Sequence, residues 1–146
     1  MDPKNIKPWK FFKKVLPQHT DHAGLMWHGS YVLFLEESRI EALQNVGLSY
    51  SDLSLQGYEM PVVSLNINFK KAISHGDIVC LHSYSLPRKL AKFSWQTSFI
   101  IRDNIIFAEA NVDLVLTKKK DDKHNLVRRI PENLLPYFSS LSNGPV

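Results

Sequence analysis

The spacing of hydrophobic residues along the chain predicts five β-strands and one long α-helix. In a strand every second side chain lies on the same face, whereas in a helix residues three and four positions apart share a face. The predicted strands run from Trp9 to Leu16, Val63 to Lys70, Ile78 to Leu86, Phe93 to Ile101 and Ile106 to Leu116. Pro17 ends the regular pairing of the first strand, because proline has no N–H to donate.

The long helix is predicted between Ser30 and Val46, with Gly47 as its left-handed stop. At the standard rise per residue this helix is about 25 Å long. One face carries Val32, Leu35, Ala42, Leu43 and Val46, and the opposite face carries Glu37, Glu41 and Gln44. We therefore expect the helix to pack one side against a sheet.

Two charged residues, Glu36 and Arg39, project within the apolar face of this helix at i, i+3 spacing. Unpaired charges are costly there, so we expect each to neutralise the other or a partner across an interface. This structural role is favoured over a catalytic role for Glu36.

The later strands each have one apolar face. Three sets of residues form these faces: Val63, Leu65, Ile67 and Phe69; Phe93, Trp95, Thr97, Phe99 and Ile101; and Ile106, Ala108, Ala110, Val112, Leu114 and Leu116. Asp103 and Asn104 fit a two-residue hairpin turn, since both tolerate positive φ. The two alanines on the last strand would let a helix approach the sheet closely.

The remaining segments are predicted to be short. Leu48 to Gly57 is a polar connector with one helical turn beginning near Ser51, and Ser74 to Asp77 is a turn. A C-terminal helix is expected at residues 131–141, followed by a frayed end from Ser142 to Val146.

Together these elements predict an α+β protein in which an antiparallel sheet curls around one helix. Strands joined by short turns pair antiparallel, which excludes a doubly wound parallel sheet. With 146 residues, the chain is expected to be a single domain spanning 1–146, with its core at about residues 9–117.

The composition indicates an ordinary globular protein, with 44% hydrophobic and 22% charged residues. No apolar run has the length of a membrane span, and the start does not resemble a signal peptide, so we expect a cytoplasmic protein without a membrane span. The single cysteine, Cys80, lies in an apolar run, where a buried inert thiol is expected.

The net charge of +4 is concentrated between Lys118 and Arg129. Such a basic segment is compatible with a solvated loop, with the phosphates of a nucleotide cofactor or with nucleic acid. No nucleic-acid-binding motif accompanies it, so no nucleic-acid partner is expected.

The candidate chemistry lies between Thr20 and Tyr31, at the start of the long helix. Asp21 is a carboxylate close to a helix N-terminus, whose free N–H groups and partial positive charge favour developing negative charge. This combination is suited to carbonyl chemistry. His19, His22 and His28 lack a standard ligand spacing, so no metal site is expected.

The same residues carry a resemblance to a known family. The residues Asp21, Gly24, His28, Tyr31, Glu36 and Arg39 lie in register with the signature of the hotdog-fold acyl-CoA thioesterases, over about residues 9–117. The chain is similar to the 4-hydroxybenzoyl-CoA thioesterase branch and its Tol-Pal-associated relatives. The resemblance implies thioester hydrolysis with coenzyme A as part of the substrate, no separate cofactor, and a homodimer or homotetramer.

The resemblance also implies roles for single residues. Asp21 would act as base or nucleophile, and the backbone amide of His28 would polarise the carbonyl as the oxyanion donor. Tyr31 is a further candidate proton donor, although a packing role is favoured. The alternative for Asp21 is an Asx turn that closes the loop. The His28 side chain either orients water or the thioester, or packs against the loop.

Further residues are expected to bind substrate. Gly24 and Gly29 supply backbone freedom near the acyl or pantetheine group. Trp27, with Met60, Phe69 and Trp95, is a candidate for the acyl pocket, with core packing as the alternative. The turn that holds Arg88, Lys89 and Lys92 is the candidate contact for the coenzyme A phosphates; a turn kept soluble by its charge is the alternative.

The sequence does not identify the acyl group of the substrate. Aromatic thioesters such as 4-hydroxybenzoyl- or 1,4-dihydroxy-2-naphthoyl-CoA, and short or medium fatty acyl-CoA, are compatible with the closest branch. A non-catalytic acyl-CoA-binding or sensor protein of the same fold is the alternative function. Acyl-thioester dehydration is disfavoured, because its histidine motif is absent.

Overall fold

The computed structural model of the protein describes residues 5–146. The strands are β1 (Trp9–Lys14), β2 (Tyr58–Glu59), β3 (Val62–Phe69), β4 (Ile78–Pro87), β5 (Lys92–Ile101), β6 (Ile105–Val115), β7 (Thr117–Lys120) and β8 (Lys123–Leu126). The helices are α1 (His28–Asn45), α2 (Tyr50–Leu55) and α3 (Leu135–Asn143), and a 3₁₀ turn occupies Pro17–His19.

Five strands form one antiparallel sheet in the order β1-β4-β5-β6-β3. The predicted α+β architecture, an antiparallel sheet with a long helix packed against it, is confirmed. Although β3 and β4 follow each other in the chain, they lie far apart in the sheet, because β3 pairs with β6. Strands β1 and β3 are therefore the two edges.

Helix α1 packs on the sheet through Phe34, Leu35 and Leu43, which are almost fully buried. The predicted helix is confirmed, but it begins two residues earlier, at His28. Val32, which was predicted on the packed face, is 40% exposed. This prediction was wrong because Val32 lies beside the open edge of the sheet, where no further strand covers it.

The apolar face predicted for β3 is only partly buried. Leu65 is 43% exposed and Phe69 is 54% exposed, whereas residues on the same face of the central strands are buried. The alternation was read correctly for Leu65, Ile67 and Phe69, but the prediction was wrong for Val63, because a bulge there leaves Val62 opposite Leu114. A sequence pattern also does not distinguish an edge strand from a central one. The open edge of β3 also leaves one row of backbone groups without a partner strand within residues 5–146.

Strands β5 and β6 differ from the predicted hairpin in two details. A bulge at Phe107 lets Phe99 pair with Ala108 and Ile100 pair with Ile106, so Ile106 lies on the outer face rather than the predicted inner face. The turn has three residues in the left-handed region, because Arg102 joins Asp103 and Asn104 at positive φ. Thr97 and its apolar neighbours on β5 are buried as predicted.

A second sheet of three strands, in the order β2-β7-β8, was not predicted. The basic segment from Lys118 onward forms the hairpin β7–β8 instead of a loop. Its turn consists of Asp121 and Asp122, both at positive φ. The sequence concealed these strands because they have exposed, mostly charged side chains and no apolar face.

Helix α3 begins at Leu135 rather than 131, and Ser142 and Asn143 belong to it, so the predicted frayed end is wrong there. The ring of Phe138 stacks on Phe93 at 4.6 Å between centroids. The indole Nε1–H of Trp9 donates to the carbonyl of Leu141 at 2.8 Å. These contacts hold the C-terminal helix against the sheet.

The predicted helical turn near Ser51 is confirmed as α2, whose N-cap Ser49 accepts from the amide of Asp52.

The outer face of the sheet is polar and carries a hydrogen-bonded chain of side chains. Arg88 Nε donates to Ser94 Oγ at 2.8 Å, and Ser94 Oγ donates to Asp113 Oδ1 at 2.6 Å. Asn111 Nδ2 donates to the same oxygen at 3.0 Å. The Ser94 hydroxyl, and then the Asn111 amide and the charges of Lys92 and Arg88, lower the pKa of Asp113, and burial opposes them.

Two expectations from composition concern the described residues. The thiol of Cys80 is buried as predicted, and burial raises its pKa. Within residues 5–146, no helix is both long enough and apolar enough to span a membrane.

Replacing Phe138 with alanine tests whether α3 belongs to the core. The change should lower the free energy of unfolding by about 3–5 kcal/mol, because it removes a buried ring and leaves a cavity. Urea denaturation followed by circular dichroism measures this loss. Leu135→Ala is the matched control, since Leu135 is 43% exposed; equal effects of the two changes would contradict the packing of α3.

Replacing Asp113 with asparagine tests the polar chain on the outer face. Because the folded-state pKa of Asp113 lies below its ordinary value of 3.8, its carboxylate stabilises the fold above that pH and loses this effect as pH falls through the folded pKa. Asp113→Asn should therefore unfold at lower urea concentration than the wild type at pH 7, and the difference should shrink below pH 3.8. Glu132→Gln, at an exposed position, serves as control; a difference independent of pH would refute the assignment.

Candidate active site

Asp21 closes the loop that precedes α1. Its Oδ1 accepts hydrogen bonds from the amides of Ala23 at 2.9 Å and Leu25 at 3.1 Å, and its own amide donates to the carbonyl of Leu25 at 2.8 Å. This is the Asx-turn role considered as the alternative. The side chain is nevertheless exposed, and no residue among 5–146 donates a hydrogen bond to its second oxygen, Oδ2. The two roles of Asp21 are therefore compatible.

The loop is fixed to the rest of the fold by backbone hydrogen bonds. Met26 donates to the carbonyl of Ile73 at 2.7 Å, and Trp27 donates to that of His19 at 3.2 Å. Ser30 Oγ also donates to the carbonyl of His19, at 2.9 Å. Gly24 has φ +80°, a left-handed conformation that favours glycine, and no atom lies within 4 Å of where its Cβ would be. The backbone at Gly24 is thus accessible, as the predicted contact with substrate requires.

Helix α1 begins with amides that have no partner. Its N-cap residue Trp27 makes no side-chain cap, and within residues 5–146 the amides of His28 and Gly29 donate to no backbone acceptor. The indole of Trp27 lies directly over Gly29, where any side chain would collide with it. It also contacts the exposed ring of His28 edge-on at 5.0 Å. The free amides therefore lie beside an aromatic cover.

Asp21 and Tyr31 line one open cavity of about 310 Å³, together with Leu25, Met26, Phe69, Lys70, Lys71 and Ala72. The ring of Tyr31 packs between Phe69 and Phe99, at 4.9 and 5.1 Å between centroids. Tyr31 is 3% exposed, which fits the favoured packing role. Burial raises the pKa of Tyr31, so its hydroxyl is protonated at neutral pH and is able to donate but not to act as a base.

Two lysines in this cavity were not identified from the sequence. Lys70 and Lys71 follow β3, and both amides donate to the carbonyl of Phe107. Lys70 Nζ lies 3.5 Å from a carboxylate oxygen of Glu109, and Lys71 Nζ lies 5.8 Å from the centroid of the Phe107 ring. The only sequence signal was their position after an alternating strand. Lys70 is paired with Glu109, so Lys71 is the cation of this cavity that is left to face the carboxylate of Asp21 or a ligand.

The structure does not bring the predicted phosphate contacts to Asp21 within one chain. Arg88 and Lys89 occupy the turn between β4 and β5, and Lys92 begins β5 opposite Val115. Phe69, beside Asp21, aligns with Ala108 and hence with Phe99 on β5. Six strand residues separate this level from Phe93, which is about 20 Å.

The expected ion pair between Glu36 and Arg39 is absent from residues 5–146. Glu36 is exposed, whereas Arg39 is 5% exposed and donates from Nε to the hydroxyl of Tyr50 at 3.0 Å. The two residues therefore do not neutralise each other, because Glu36 lies toward solvent and Arg39 lies toward α2. The other part of the prediction, a partner across an interface, stays a prediction.

The other candidates for the acyl pocket are separated. Trp95 is 2% exposed and Met60 is 7% exposed, so both pack in the core, the alternative considered for them. Trp27 and Phe69 are the two that stay accessible, and of these Phe69 lines the cavity that contains Asp21. No group of three histidine, cysteine or acidic side chains within residues 5–146 is arranged to hold a metal ion.

An accessible carboxylate oxygen and a protonated phenol line the same open cavity, and the free amides lie at the start of the helix that carries this phenol. A carboxylate of this kind is able to accept a proton from water or attack an electrophilic carbon. Free amides at a helix start stabilise an oxyanion that forms nearby. The site is therefore suited to an addition at a carbonyl group.

Comparisons with known proteins agree with this chemistry. The sequence model of the thioesterase superfamily matches residues 23–104; the match begins after Asp21. A Synechocystis protein named "Putative esterase" is 32% identical over 94 residues, which are 64% of this chain and 57% of that protein. A Bacillus subtilis protein named "Putative acyl-CoA thioesterase" is 32% identical over 65 residues, or 44% of this chain and 47% of that protein. The chain thus spans about half the length of these relatives.

The fold is also similar to solved structures. The 1,4-dihydroxy-2-naphthoyl-CoA thioesterase from Synechocystis superposes with a TM-score of 0.80 at 17% identity, over 91% of this chain and 96% of that protein. At this identity the likeness concerns the fold alone, an antiparallel sheet packed on one helix that is called the hotdog fold. Because the family match covers more than half of the sequence, the chain belongs to the thioesterase superfamily.

Proposed function

We propose that the protein hydrolyses acyl-CoA thioesters in the cavity that Asp21 and Tyr31 share. The observation that carries this proposal is the joint placement of Asp21, with one free carboxylate oxygen, and the uncapped start of α1. The names of the relatives support the substrate class: acyl-CoA for the Bacillus protein and an aromatic thioester for the Synechocystis structure. Aromatic and short or medium fatty acyl groups are both candidates.

In this mechanism the two oxygens of Asp21 have separate tasks. Oδ1 stays bound to the amides of Ala23 and Leu25 and fixes the carboxylate, while Oδ2 faces the reaction. Acting as base, Oδ2 takes a proton from water as the water oxygen bonds to the thioester carbon. Acting as nucleophile, it bonds to that carbon itself, and water then hydrolyses the anhydride. In both routes the carbon–sulfur bond breaks, and the thiolate of coenzyme A takes up a proton.

The oxyanion that forms during attack needs donors that are already in place. The amide of His28 is the proposed donor, because its N–H is free at the positive end of α1. Tyr31, kept protonated by burial, supplies a second possible donor at the wall of the cavity. No metal or redox cofactor takes part in this proposal.

The open edge of β3 supports a homodimer. Two copies related by a two-fold axis pair this strand antiparallel with itself, which joins the two sheets into one and covers the exposed Val62, Leu65 and Phe69. The Val62 end of one copy then lies beside the Phe69 end of the other. The turn with Arg88, Lys89 and Lys92 thereby approaches the Asp21 cavity of the partner, where it is able to meet the coenzyme A phosphates.

Asp21→Asn is the direct test of the mechanism. Asparagine keeps an oxygen that accepts from Ala23 and Leu25, so the loop should stay closed, but it provides neither a base nor a nucleophile. We expect turnover to fall by about 10²- to 10⁴-fold. Release of coenzyme A thiol from aromatic and straight-chain acyl-CoAs measures this loss, with melting temperature as the check on folding.

The control variant is Glu41→Gln, which removes a carboxylate from the exposed face of α1 and should leave turnover unchanged. Full activity of Asp21→Asn would refute the proposed role of Asp21. Binding of acyl-CoA without thiol release by the wild type would favour the sensor alternative.

Val63→Lys tests the pairing of β3 with its copy. The wild type should sediment at twice the chain mass of 16.8 kDa or a multiple of it. A lysine on the edge strand opposes pairing, so the variant should sediment as a monomer. Leu55→Lys, at an 86% exposed leucine on α2, is the matched control; a monomeric wild type at micromolar concentration would contradict the proposal.

A further inference from the structure

The fold joins two basic segments that lie far apart in the sequence. One is the turn between β4 and β5, residues 88–92, and the other is residues 118–129, which include β7 and β8. The amide of Leu116 donates to the carbonyl of Ala91 at 3.2 Å, and the amide of Val127 donates to that of Leu116 at 2.9 Å. These hydrogen bonds place the two segments side by side, and together they are called the basic surface.

Half of the lysine and arginine residues of the chain lie on the basic surface. Residues 88–92 and 118–129 contain nine of the 18, but only two of the 14 acidic residues, Asp121 and Asp122. Among residues 5–146, one ion pair within 4.0 Å forms in these segments, between Lys119 and Asp122 at 3.8 Å. The basic surface therefore keeps a large excess of positive charge.

Three lysines lie on one side of the β7–β8 hairpin. Lys120 pairs directly with Lys123, and Lys118 lies two residues before Lys120 on the same side. Lys118 Nζ donates to the carbonyl of Gln56 at 2.7 Å and lies 4.1 Å from the centroid of the Tyr58 ring, whereas Lys120 and Lys123 have no carboxylate oxygen within 4.0 Å among residues 5–146. Like charges directly opposite each other weaken a hairpin, so an external anion beside them would stabilise it.

Two exposed leucines lie among these cations. Leu90 is 61% exposed and Leu126 is 56% exposed. Each precedes a residue that packs on the core, Ala91 and Val127, and these two residues flank β7 on either side. Two strand spacings, about 10 Å, therefore separate the leucines. A single exposed leucine is ordinary, but two of them within a basic surface form an apolar patch with a charged rim.

The basic surface lies outside the edge that the proposed dimer covers. The second sheet has the order β2-β7-β8, and β2 is the strand that precedes β3, so β8 is the strand of this sheet farthest from β3. In the main sheet, β5 and β4 lie two and three strands from β3, which is about 10 and 15 Å. Pairing of β3 with its copy therefore leaves Leu90 and Leu126 accessible.

We propose that the basic surface docks on a membrane that contains anionic lipid. Leu90 and Leu126 enter the boundary between headgroups and acyl chains, while the lysine and arginine side chains stay level with the lipid phosphates. Nucleic acid or the phosphates of coenzyme A would pair with the cations but leave both leucines in water. A lipid surface uses the charges and the leucines together, and stable attachment requires two such signals.

Flotation of the purified full chain with lipid vesicles tests this proposal. Vesicles of phosphatidylcholine are compared with vesicles of equal parts phosphatidylcholine and phosphatidylglycerol. The wild type should float with the anionic vesicles and remain behind with the neutral ones. Added salt should weaken the binding, because it screens the charges. The assay contains no acyl-CoA, so its outcome does not depend on the proposed thioesterase function.

The combined change Lys120→Gln and Lys123→Gln tests the charged part of the surface. We expect the partition coefficient on anionic vesicles to fall by about tenfold or more, because each basic residue near the lipid adds to the attraction. Lys10→Gln with Lys14→Gln is the matched control. It removes the same charge from exposed positions on β1 and should leave the partition coefficient nearly unchanged.

The combined change Leu90→Ser and Leu126→Ser tests the apolar part and keeps every charge. The partition coefficient should again fall by about tenfold or more, because less apolar area enters the lipid. Leu55→Ser, at an 86% exposed leucine of α2, is the control and should bind like the wild type. Melting temperatures check that each variant is folded.

The results that would overturn the proposal are distinct. A wild type that does not bind anionic vesicles, or that binds neutral ones equally well, would refute docking on anionic lipid. Unchanged binding after the leucine changes, together with displacement of the vesicles by an oligonucleotide, would assign the surface to nucleic acid. A higher KM for acyl-CoA after the lysine changes, with vesicle binding unchanged, would assign Lys120 and Lys123 to the coenzyme A phosphates.

Discussion

The packing of Tyr31 between Phe69 and Phe99 is the contact on which the candidate site depends. It fixes the first turn of α1 against the end of β3 and the C-terminal part of β5. The free amides of the helix and the end of β3 consequently border the same loop, whose closure is completed by Asp21. Together with the backbone hydrogen bonds of Met26 and Trp27, this aromatic cluster fixes the helix start relative to the carboxylate. The cluster explains why an almost fully buried tyrosine lies in the wall of an open cavity.

The sequence predicted the elements whose side chains alternate between core and solvent. Strands β4 and β5 and the buried face of α1 were recovered because burial imposes a period on the chain. The exposure of Leu65 and Val32 was not predicted. It results from the pairing of β3 with β6 at the edge of the sheet, and a long-range pairing of this kind leaves no local pattern in the sequence. The bulge at Phe107 likewise shifts Ile106 to the other face without any change of composition. The β7–β8 hairpin was not predicted for a different reason: it has no buried face.

The candidate site was predictable in its chemistry but not in its geometry. The carboxylate of Asp21 and the helix start were recognised because both follow from residue type and position. The two lysines after β3 were missed, since only the fold brings Lys70 and Lys71 to the same cavity as Asp21. The turn with Arg88 was expected near the site and lies at the opposite end of the sheet within one chain. Whether a turn lies near the site depends on its distance along the strand and not on its residue types.

Helix α1 offers positive charge at two positions, its N-terminal end and Arg39. The N-terminal end of the helix offers free donors without any acidic residue in its first turn, so nothing on the helix competes with an incoming anion. About three turns farther on, Arg39 carries a full positive charge beside apolar side chains and the acidic side chain of Glu36. No carboxylate within residues 5–146 pairs with Arg39, so its charge is left to be neutralised by water or by a second copy across the open edge of β3.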